Sequence, residues 1–300
     1  MRFNLYNRYK PKSYFSYNTK GYFYKTTRNF YKILNHIILS VLSISTIFPL
    51  YFLISTSFKT REDFFYNKFG IPNVFDYANY VEAFRGGDNF LRWFLNSTIV
   101  TLSSVMVSLI CTVLAAYAFV YFKFKGKNLL FNLTVSLMVF PPVVVIIPLF
   151  VFMQKINLIN NYLSVIIIYI GLMLPFGIYL VASFFSTVPK EIIESAFIDG
   201  CDIFKVLLRI LIPISRPAIV TVIVVNALFA WNELLIAMVF LNNNESKTLM
   251  AGLMSFKARF NTDLPVTMAG LTVISIPIIL LYLFGSKYFI KGLTAGSLKG

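Results

Sequence analysis

The sequence has little of what metal and disulfide chemistry require. Its 300 residues include two Cys, Cys111 and Cys201, and a single His, His36. A zinc site takes about four such ligands, and a disulfide framework needs paired Cys. Neither is expected, so we predict no metal site and no catalytic residue. Cys111 lies in an apolar segment and Cys201 in a loop, and we expect both to be reduced.

Charged residues are also scarce, at 13%, whereas 58% of the residues are hydrophobic. Average soluble chains are about one quarter charged. This composition excludes an ordinary soluble domain and indicates a membrane protein. The net charge of +15 would suit a nucleic-acid binder, but such a protein has no need of long apolar runs. We therefore expect membrane lipid, and no nucleic acid, as a partner.

Six apolar segments are long enough to cross a bilayer, which takes about 20 mostly apolar residues. They are 33–58, 94–119, 129–153, 162–186, 214–240 and 264–290. These segments predict an all-α polytopic membrane protein with six transmembrane helices over residues 33–290. A basic, Tyr-rich tail at 1–32 precedes them, and a short tail at 291–300 follows.

The distribution of Lys and Arg predicts the orientation of these helices. With the N-terminus inside, two thirds of the 27 basic residues lie on the cytoplasmic side, as the positive-inside rule requires. We expect both termini to be cytoplasmic and the chain to lie in a cell membrane, inner or plasma. The first 32 residues contain no Asp or Glu and no signal-peptide core. They indicate an orientation signal that contacts anionic lipid headgroups.

Proline is frequent within the predicted spans. Pro49, Pro141, Pro142, Pro148, Pro175 and Pro277 fall inside four of them. Proline lacks the backbone N–H and clashes with the preceding turn, so neighbouring helices or a cavity must satisfy the freed carbonyls. Two interpretations stay open: static kinks, or helices that bend around a translocation path.

One acid, Glu233, clearly lies inside a predicted span. A charge at mid-bilayer costs at least about 2.5 kcal/mol, so Glu233 should face the protein interior. With Asn226, Trp231 and Asn232 it forms a group suited to stacking on and hydrogen-bonding a neutral polyhydroxylated solute. Trp231 would alternatively be an interfacial residue and Glu233 a partner of a neighbouring helix. A lone acid argues against a proton-coupled transporter.

The loop at 188–213 predicts two short amphipathic helices. The first follows Pro189 and ends at Gly200, which tolerates a positive φ, and the second begins at Asp202 and stops at Pro213. Their expected apolar stripes are Ile192, Ile193, Ala196 and Phe197, then Phe204, Leu207, Leu208 and Leu211. By pattern alone, such helices lie on the membrane or pack against the protein's own helices.

Two motifs resemble those of ATP-binding cassette (ABC) importer permeases. Glu194-Ser195-Ala196, then Gly200, then Ile210-x-Ile212-Pro213 is similar to the EAA motif, with Ser195 and Ile212 as mild departures. The C-terminal Gly292-Leu293-Thr294-Ala295-Gly296 resembles the tail of maltose-permease-type, MalG-like, sugar permeases. The Trp231-Asn232-Glu233 stretch also looks like that family, and the resemblance covers about residues 30–300.

The resemblance implies a type I importer permease fold and one half of a heterodimeric pore for sugars, oligosaccharides in particular. Its implied partners are a second permease, two ATPase subunits and an external solute-binding protein. No Gly-x-x-x-x-Gly-Lys-Ser/Thr motif occurs here, so ATP and Mg²⁺ would be used by the partner ATPase. This chain is expected to bind no cofactor and not to be an enzyme.

The resemblance also implies residue roles. The EAA loop would seat in a groove of the ATPase through Glu194, Ser195, Ala196, Asp199, Gly200, Phe204 and Pro213, and the C-terminal tail at Gly292–Gly296 would reach between the two ATPase subunits. Two alternatives stay open: a permease for another solute, such as a phosphodiester or an osmolyte, and a self-contained secondary transporter. The second is disfavoured because the sequence has no inverted repeat.

Overall fold

The computed structural model describes residues 17–86, 89–259 and 263–297, without the side chains of 17–30, 86, 255–259, 284 and 286–297. The first half of the predicted basic tail and the last three residues lie outside the described residues. The chain divides into two units, Met1–Ser55 and Thr56–Gly300. All regular structure in the described residues is helical.

The first unit contains most of helix α1, Tyr17–Ser57. This helix begins 16 residues before the predicted span, because no proline lies between Pro11 and Pro49 to stop it. Its part from Tyr31 to Ser57 is long and apolar enough to cross a membrane. The lone histidine, His36, lies within 2.6 Å of the carbonyl of Lys32, one turn earlier.

The second unit contains the remaining helices. They are α2 (Arg61–Tyr66), α3 (Ala78–Gly86), α4 (Phe90–Tyr121), α5 (Lys127–Ser136), α6 (Pro142–Lys155), α7 (Tyr162–Phe185), α8 (Lys190–Ile198), α9 (Ile203–Ile214), α10 (Arg216–Asn232), α11 (Leu235–Phe240), α12 (Leu249–Arg259) and α13 (Leu264–Ser297).

Among the described residues, four helices are each long and apolar enough to span a membrane: α1, α4, α7 and α13. The number rises to six if each of two bent pairs counts as one span. One pair, Lys127–Val139 with α6, bends by 103° at Phe140 and Pro141, where proline removes a donor and disfavours helix at the preceding residue. The other pair, α9 with α10, bends by 79°. The protein is therefore an all-α, multi-pass membrane protein.

Helix α4 is central to the second unit and packs against α7 and α10, while α10 also packs against α13. The buried face of α4 carries small polar residues at helical spacing: Ser97, Thr101, Ser104, Ser108 and Thr112. A Cβ at Gly177 of α7 would lie 2.6 Å from Oγ1 of Thr112. Glycine is therefore required there for the close approach of α4 and α7, as is common between membrane helices.

The fifth predicted span, 214–240, is not one continuous helix. Helix α10 ends at Asn232, and Glu233 has an extended conformation, with φ −70° and ψ 125°. Helix α11 begins at Leu235. The prediction of an unbroken helix is wrong here because the chain is extended at Glu233, whose carboxylate instead binds the N–H groups of Ile236 and Ala237 in the first turn of α11.

Candidate functional site

The loop between α7 and α10 forms the two-helix hairpin that the sequence predicts. Helix α8 begins directly after Pro189 and ends at Ile198, and Gly200 reverses the chain with φ +80°. A Cβ placed on Gly200 would meet nothing within 4 Å. Glycine is therefore favoured here by the left-handed backbone conformation and not by lack of space.

Asp202 begins the second helix of this hairpin. Its carboxylate accepts a hydrogen bond from the backbone N–H of Lys205 at 2.7 Å, and the Lys205 ammonium lies 3.5 Å away. The N–H of Lys205 holds the pKa of Asp202 below its ordinary value, and the ammonium acts in the same direction. This is an N-cap that fixes where α9 starts.

One face of the hairpin is packed into the membrane helices. Ile193 and Ala196 of α8 and Val206, Leu207 and Leu211 of α9 are buried in one cluster with residues near the C-terminal ends of α4 and α7. The Tyr117 hydroxyl donates to the carbonyl of Ile203 at 3.3 Å. A movement of the hairpin would therefore be passed directly to α4 and α7.

The other face of the hairpin is apolar but exposed. Ile198 is 85% exposed, Phe204 67% and Leu208 60%. The predicted stripes are therefore wrong in part, because Ile192, Phe197, Phe204 and Leu208 point away from the buried cluster. In α9 the side chains that pack against α4 and α7 are Val206, Leu207 and Leu211, whereas Phe204 and Leu208 are exposed.

The remaining residues predicted for the EAA loop fall on this hairpin. Glu194, Ser195 and Asp199 are exposed, whereas Ala196 is buried. Glu194 makes no ion pair with any described residue. Pro213 does not stop the second helix, which continues to Ile214. It follows a π-helical stretch at Leu207–Leu211 and opens the last short turn, where a missing N–H is tolerated.

The predicted C-terminal tail is described only as backbone. Residues from Gly292 to Gly296 continue α13, which runs to Ser297, so this stretch is helical and not an extended tail. The side chains that the resemblance assigns to the ATPase contact lie outside the described residues.

A second candidate site lies at the break after α10. The Glu233 carboxylate accepts a hydrogen bond from the Tyr169 hydroxyl at 2.7 Å. It also accepts from the backbone N–H groups of Ile236 at 2.9 Å and Ala237 at 3.0 Å. The acid predicted to face the interior therefore joins α7 to the start of α11.

The other three residues predicted for a solute path have separate environments. Asn226 is buried, with its Nδ2 atom 3.5 Å from the Ser108 hydroxyl of α4. Trp231 is buried edge-to-face on Phe94, and its indole N–H has no hydrogen-bond partner among the described residues. Asn232 is exposed. The expectation that Asn226 and Glu233 share one helical stripe is wrong, because the helix ends between them.

Two polar clusters were missed by sequence analysis. Tyr169 of α7 is fully buried, and nothing in the sequence distinguished it from the other hydroxyl-bearing residues of that span. Asn96, near the start of α4, accepts from the Tyr162 hydroxyl at 2.7 Å and donates to the carbonyls of Glu245 and Lys247. It anchors the loop that follows α11, a long-range contact that spacing along the chain does not reveal.

The segment after α1 contains a buried lysine that was also missed. Nζ of Lys59 donates to the carbonyls of Asn67 at 2.6 Å and Lys68 at 3.2 Å. Burial lowers the pKa of Lys59, against the opposing effect of Asp63. Arg61 forms an ion pair with Asp263, which connects this segment to the start of α13.

Comparison with known proteins identifies the chain. The family described as "binding-protein-dependent transport system inner membrane component" matches residues 108–294, which include the hairpin and the break after α10. The chain belongs to this family. It is a permease component of a transport system and not an enzyme.

Several relatives are similar over nearly the whole chain. A probable ABC transporter permease protein, YurM, of Bacillus subtilis is 35% identical over 86% of this chain and 85% of its own. A putative ABC transporter permease protein of a Caldicellulosiruptor species is 36% identical over 93% and 99%. The arabinooligosaccharides transport system permease protein AraQ of Bacillus subtilis is 30% identical over 90% and 96%.

A solved structure supports the fold. The chain is similar to one in a bacterial ABC transporter involved in the import of the acidic polysaccharide alginate, with a TM-score of 0.76 and 24% identity over 88% of this chain and 98% of that one. The architecture is therefore the type I importer permease fold that the resemblance implied.

Proposed function

We propose that this chain is one of two permease subunits in an ATP-driven importer for oligosaccharides, of the maltose-permease type. The observation that carries the proposal is the hairpin of α8 and α9, which is anchored on one face and apolar and exposed on the other. A relative named for arabinooligosaccharides supports the sugar class. The other subunits are a second permease, two ATP-hydrolysing subunits that use Mg²⁺, and an external solute-binding protein.

In this proposal the exposed face of the hairpin seats in a groove of the ATPase. Ile198, Phe204 and Leu208 would be buried on docking, at about 25 cal/mol per Å² of apolar surface removed from water. Glu194, which has no ion-pair partner among this chain's described residues, would meet a basic residue of the ATPase. The gain from burial explains why large apolar side chains occupy an exposed position.

Transport would follow from the rigid connection of the hairpin to the membrane helices. When ATP draws the two ATPase subunits together, the hairpin moves as a body because Val206, Leu207 and Leu211 lock it to α4 and α7. The helices then alternate between an inward-open and an outward-open arrangement. A ligand shifts the equilibrium between these two arrangements only as far as its affinities for them differ. With both termini cytoplasmic, as the Lys and Arg distribution predicts, the hairpin faces the ATPase.

The solute path is proposed to include Asn226, Trp231, Asn232 and Glu233. Asn232 is the member with an exposed side chain and is therefore the strongest candidate for direct contact with a sugar. Glu233 would act by holding the break after α10 in place, since its oxygens are occupied by Tyr169, Ile236 and Ala237. Replacing Asn232 by Ala is expected to change the range of sugars taken up without loss of assembled importer.

The experiment that tests the coupling role compares two glycines. Gly200 and Gly126 have φ of +80° and +81°, and a Cβ on either meets nothing within 4 Å. Valine at either position carries a similar backbone strain, but only Gly200 lies in the hairpin. We expect Gly200→Val to abolish ATP-dependent uptake and co-purification of the ATPase, and Gly126→Val to retain both. Equal losses in the two variants would contradict the proposal.

A charge reversal gives an independent test of the same face. Glu194→Lys places a cation where the ATPase would supply one, whereas Glu191→Lys makes the same change in the same helix. Glu194→Lys is expected to abolish uptake with normal membrane insertion, and Glu191→Lys to affect it much less. Wild-type uptake by membrane-inserted Glu194→Lys would exclude Glu194 from the contact.

The C-terminal segment is proposed to contact the ATPase pair through Gly292, Leu293, Thr294, Ala295 and Gly296. Deleting residues 293–300 is expected to lower transport-coupled ATP hydrolysis while the level of membrane-inserted protein stays normal. A truncated chain that couples hydrolysis to uptake as well as the full chain would remove this segment from the mechanism.

A further inference from the structure

An open cavity of about 390 Å³ lies where α4 and α7 both end. Its walls come from the last turns of α4 and α7 and from the start of α5, and it is much larger than the roughly 30 Å³ that one water occupies. Neither the hairpin nor the break after α10 contributes to it. Its lining includes Phe119, Phe131, Lys127, Asn128 and Ser186.

The lining of this cavity is divided into an apolar and a polar part. Phe119 and Phe131 meet edge to face, with ring centroids 5.4 Å apart, and provide an aromatic surface. Lys127, Asn128 and Ser186 provide an ammonium, an amide and a hydroxyl. A ligand that fits both parts has a polar or charged group joined to an apolar chain.

Lys127 gives the polar part an uncompensated positive charge. Its Nζ donates to the carbonyls of Val120 at 3.2 Å and Phe122 at 3.3 Å, at the end of α4. An ammonium has three donors, so one is not used by these contacts. No Asp or Glu occurs anywhere from residue 89 to residue 190, and Lys127 forms no ion pair within the described part of the chain.

The position of the cavity favours a lipid. It lies at the end of two membrane-spanning helices, which is the level of the headgroups. The linker between α4 and α5 alternates aromatic and basic residues, Phe122, Lys123, Phe124 and Lys125. Both lysines are exposed. Basic residues at this level attract anionic headgroups, and basic pockets between membrane helices bind them.

We propose that this cavity binds one anionic phospholipid, with the headgroup phosphate at Lys127 and an acyl chain against Phe119 and Phe131. The bound lipid would join α4, α5 and α7. Because α7 leads within four residues into α8, the lipid would brace the root of the hairpin.

Photolabelling of the full chain in nanodiscs tests this site without any transport partner. The bilayer is phosphatidylcholine with a minor fraction of photoactivatable phosphatidylglycerol, and labelled peptides are mapped by mass spectrometry. We expect labelling in the peptides that line the cavity. Lys127→Gln should lower it about tenfold or more, because the charged hydrogen bond to the phosphate is lost. Lys125→Gln removes the same charge from the same linker, outside the cavity, and should have little effect.

Further variants and competitors in the photolabelling experiment distinguish a bound phospholipid from other causes of labelling. Lys127→Arg keeps the charge and should keep the labelling, which controls for misfolding of the glutamine variant. Equal labelling by a phosphatidylcholine probe, or equal losses in the Lys125 and Lys127 variants, would overturn the proposal. Displacement of the label by excess inorganic phosphate at constant ionic strength would instead assign the site to a soluble phosphate. Loss of labelling on assembly with a second permease would show that a protein surface fills the cavity.

Discussion

Two breaks between helices in this protein use the same device in different surroundings. At the hairpin, Gly200 reverses the chain and Asp202 begins the next helix in an exposed position. After α10, the Glu233 carboxylate binds two N–H groups in the first turn of α11 and also the fully buried Tyr169. Water can replace the contacts of an exposed cap, but it cannot easily replace those of a partly buried one. The first break therefore suits a surface that docks, and the second suits a fixed joint.

The largest effect is expected at the buried joint. Glu233→Ala leaves the Tyr169 hydroxyl and two backbone N–H groups without their acceptor. Hydrogen bonds to a charged group contribute about 1.5–3 kcal/mol, so we expect a loss of about 3 kcal/mol in the free energy of unfolding. Unfolding in mixed micelles measures it. Glu233→Gln keeps one acceptor oxygen and should lose less, and equal losses would contradict the capping role.

A smaller effect is expected when only the contact to α7 is removed. Tyr169→Phe deletes one hydroxyl and leaves both backbone donors of α11 paired, so a loss of about 1–2 kcal/mol is expected. A double-mutant cycle with Glu233→Gln should give a coupling energy of at least about 0.5 kcal/mol. Strict additivity of the two changes would mean that the two side chains do not interact.

At the exposed hairpin the effect on stability should be smaller than the effect on function. Gly200→Ala forces an L side chain into the left-handed region, at a cost of about 1 kcal/mol. Gly126→Ala should cost about the same, because its φ differs by only 1°. Stability measured by unfolding in mixed micelles should therefore fall equally in the two variants, while ATPase binding falls only in the first. A much larger loss of stability at Gly200 would imply a packing role.

The smallest effect is expected from the titration of Asp202. Its pKa is lowered in the folded protein by the N–H of Lys205, so its contribution is present above the ordinary carboxyl pKa, near 4, and is lost as the pH falls through the folded value. The protection of amides at the start of α9 from hydrogen exchange, measured relative to the intrinsic exchange rate at each pH, should fall with acid over that range. Asp202→Asn, which keeps an acceptor, should remove the pH dependence but not the cap. A pH dependence that persists in Asp202→Asn would assign it to another group.

The features of the fold that depend on local sequence were predictable, whereas those that depend on contacts between distant residues were not. Apolar length located the segments that cross the membrane, and Gly200 with Pro189 located the hairpin. The burial of Leu207 and Leu211, and not of Phe204 and Leu208, was not predictable from spacing, because it depends on packing against α4 and α7. Glu233 was expected to face the protein interior, and its carboxylate accepts a hydrogen bond from Tyr169 of α7. This partner is 64 residues away in sequence, and no local pattern could reveal it.

The scarcity of cysteine has a practical consequence. Cys201 directly follows Gly200 in the hairpin and is half-buried, whereas Cys111 lies in the middle of the membrane-spanning α4. If the hairpin is cytoplasmic, as the Lys and Arg distribution predicts, a charged, membrane-impermeant maleimide added to inside-out vesicles would meet only the first of these two thiols in water. The natural chain thus offers a single attachment point for a fluorophore or spin label beside the turn, without removal of any native residue. Protection of that thiol in the assembled complex would report docking in real time.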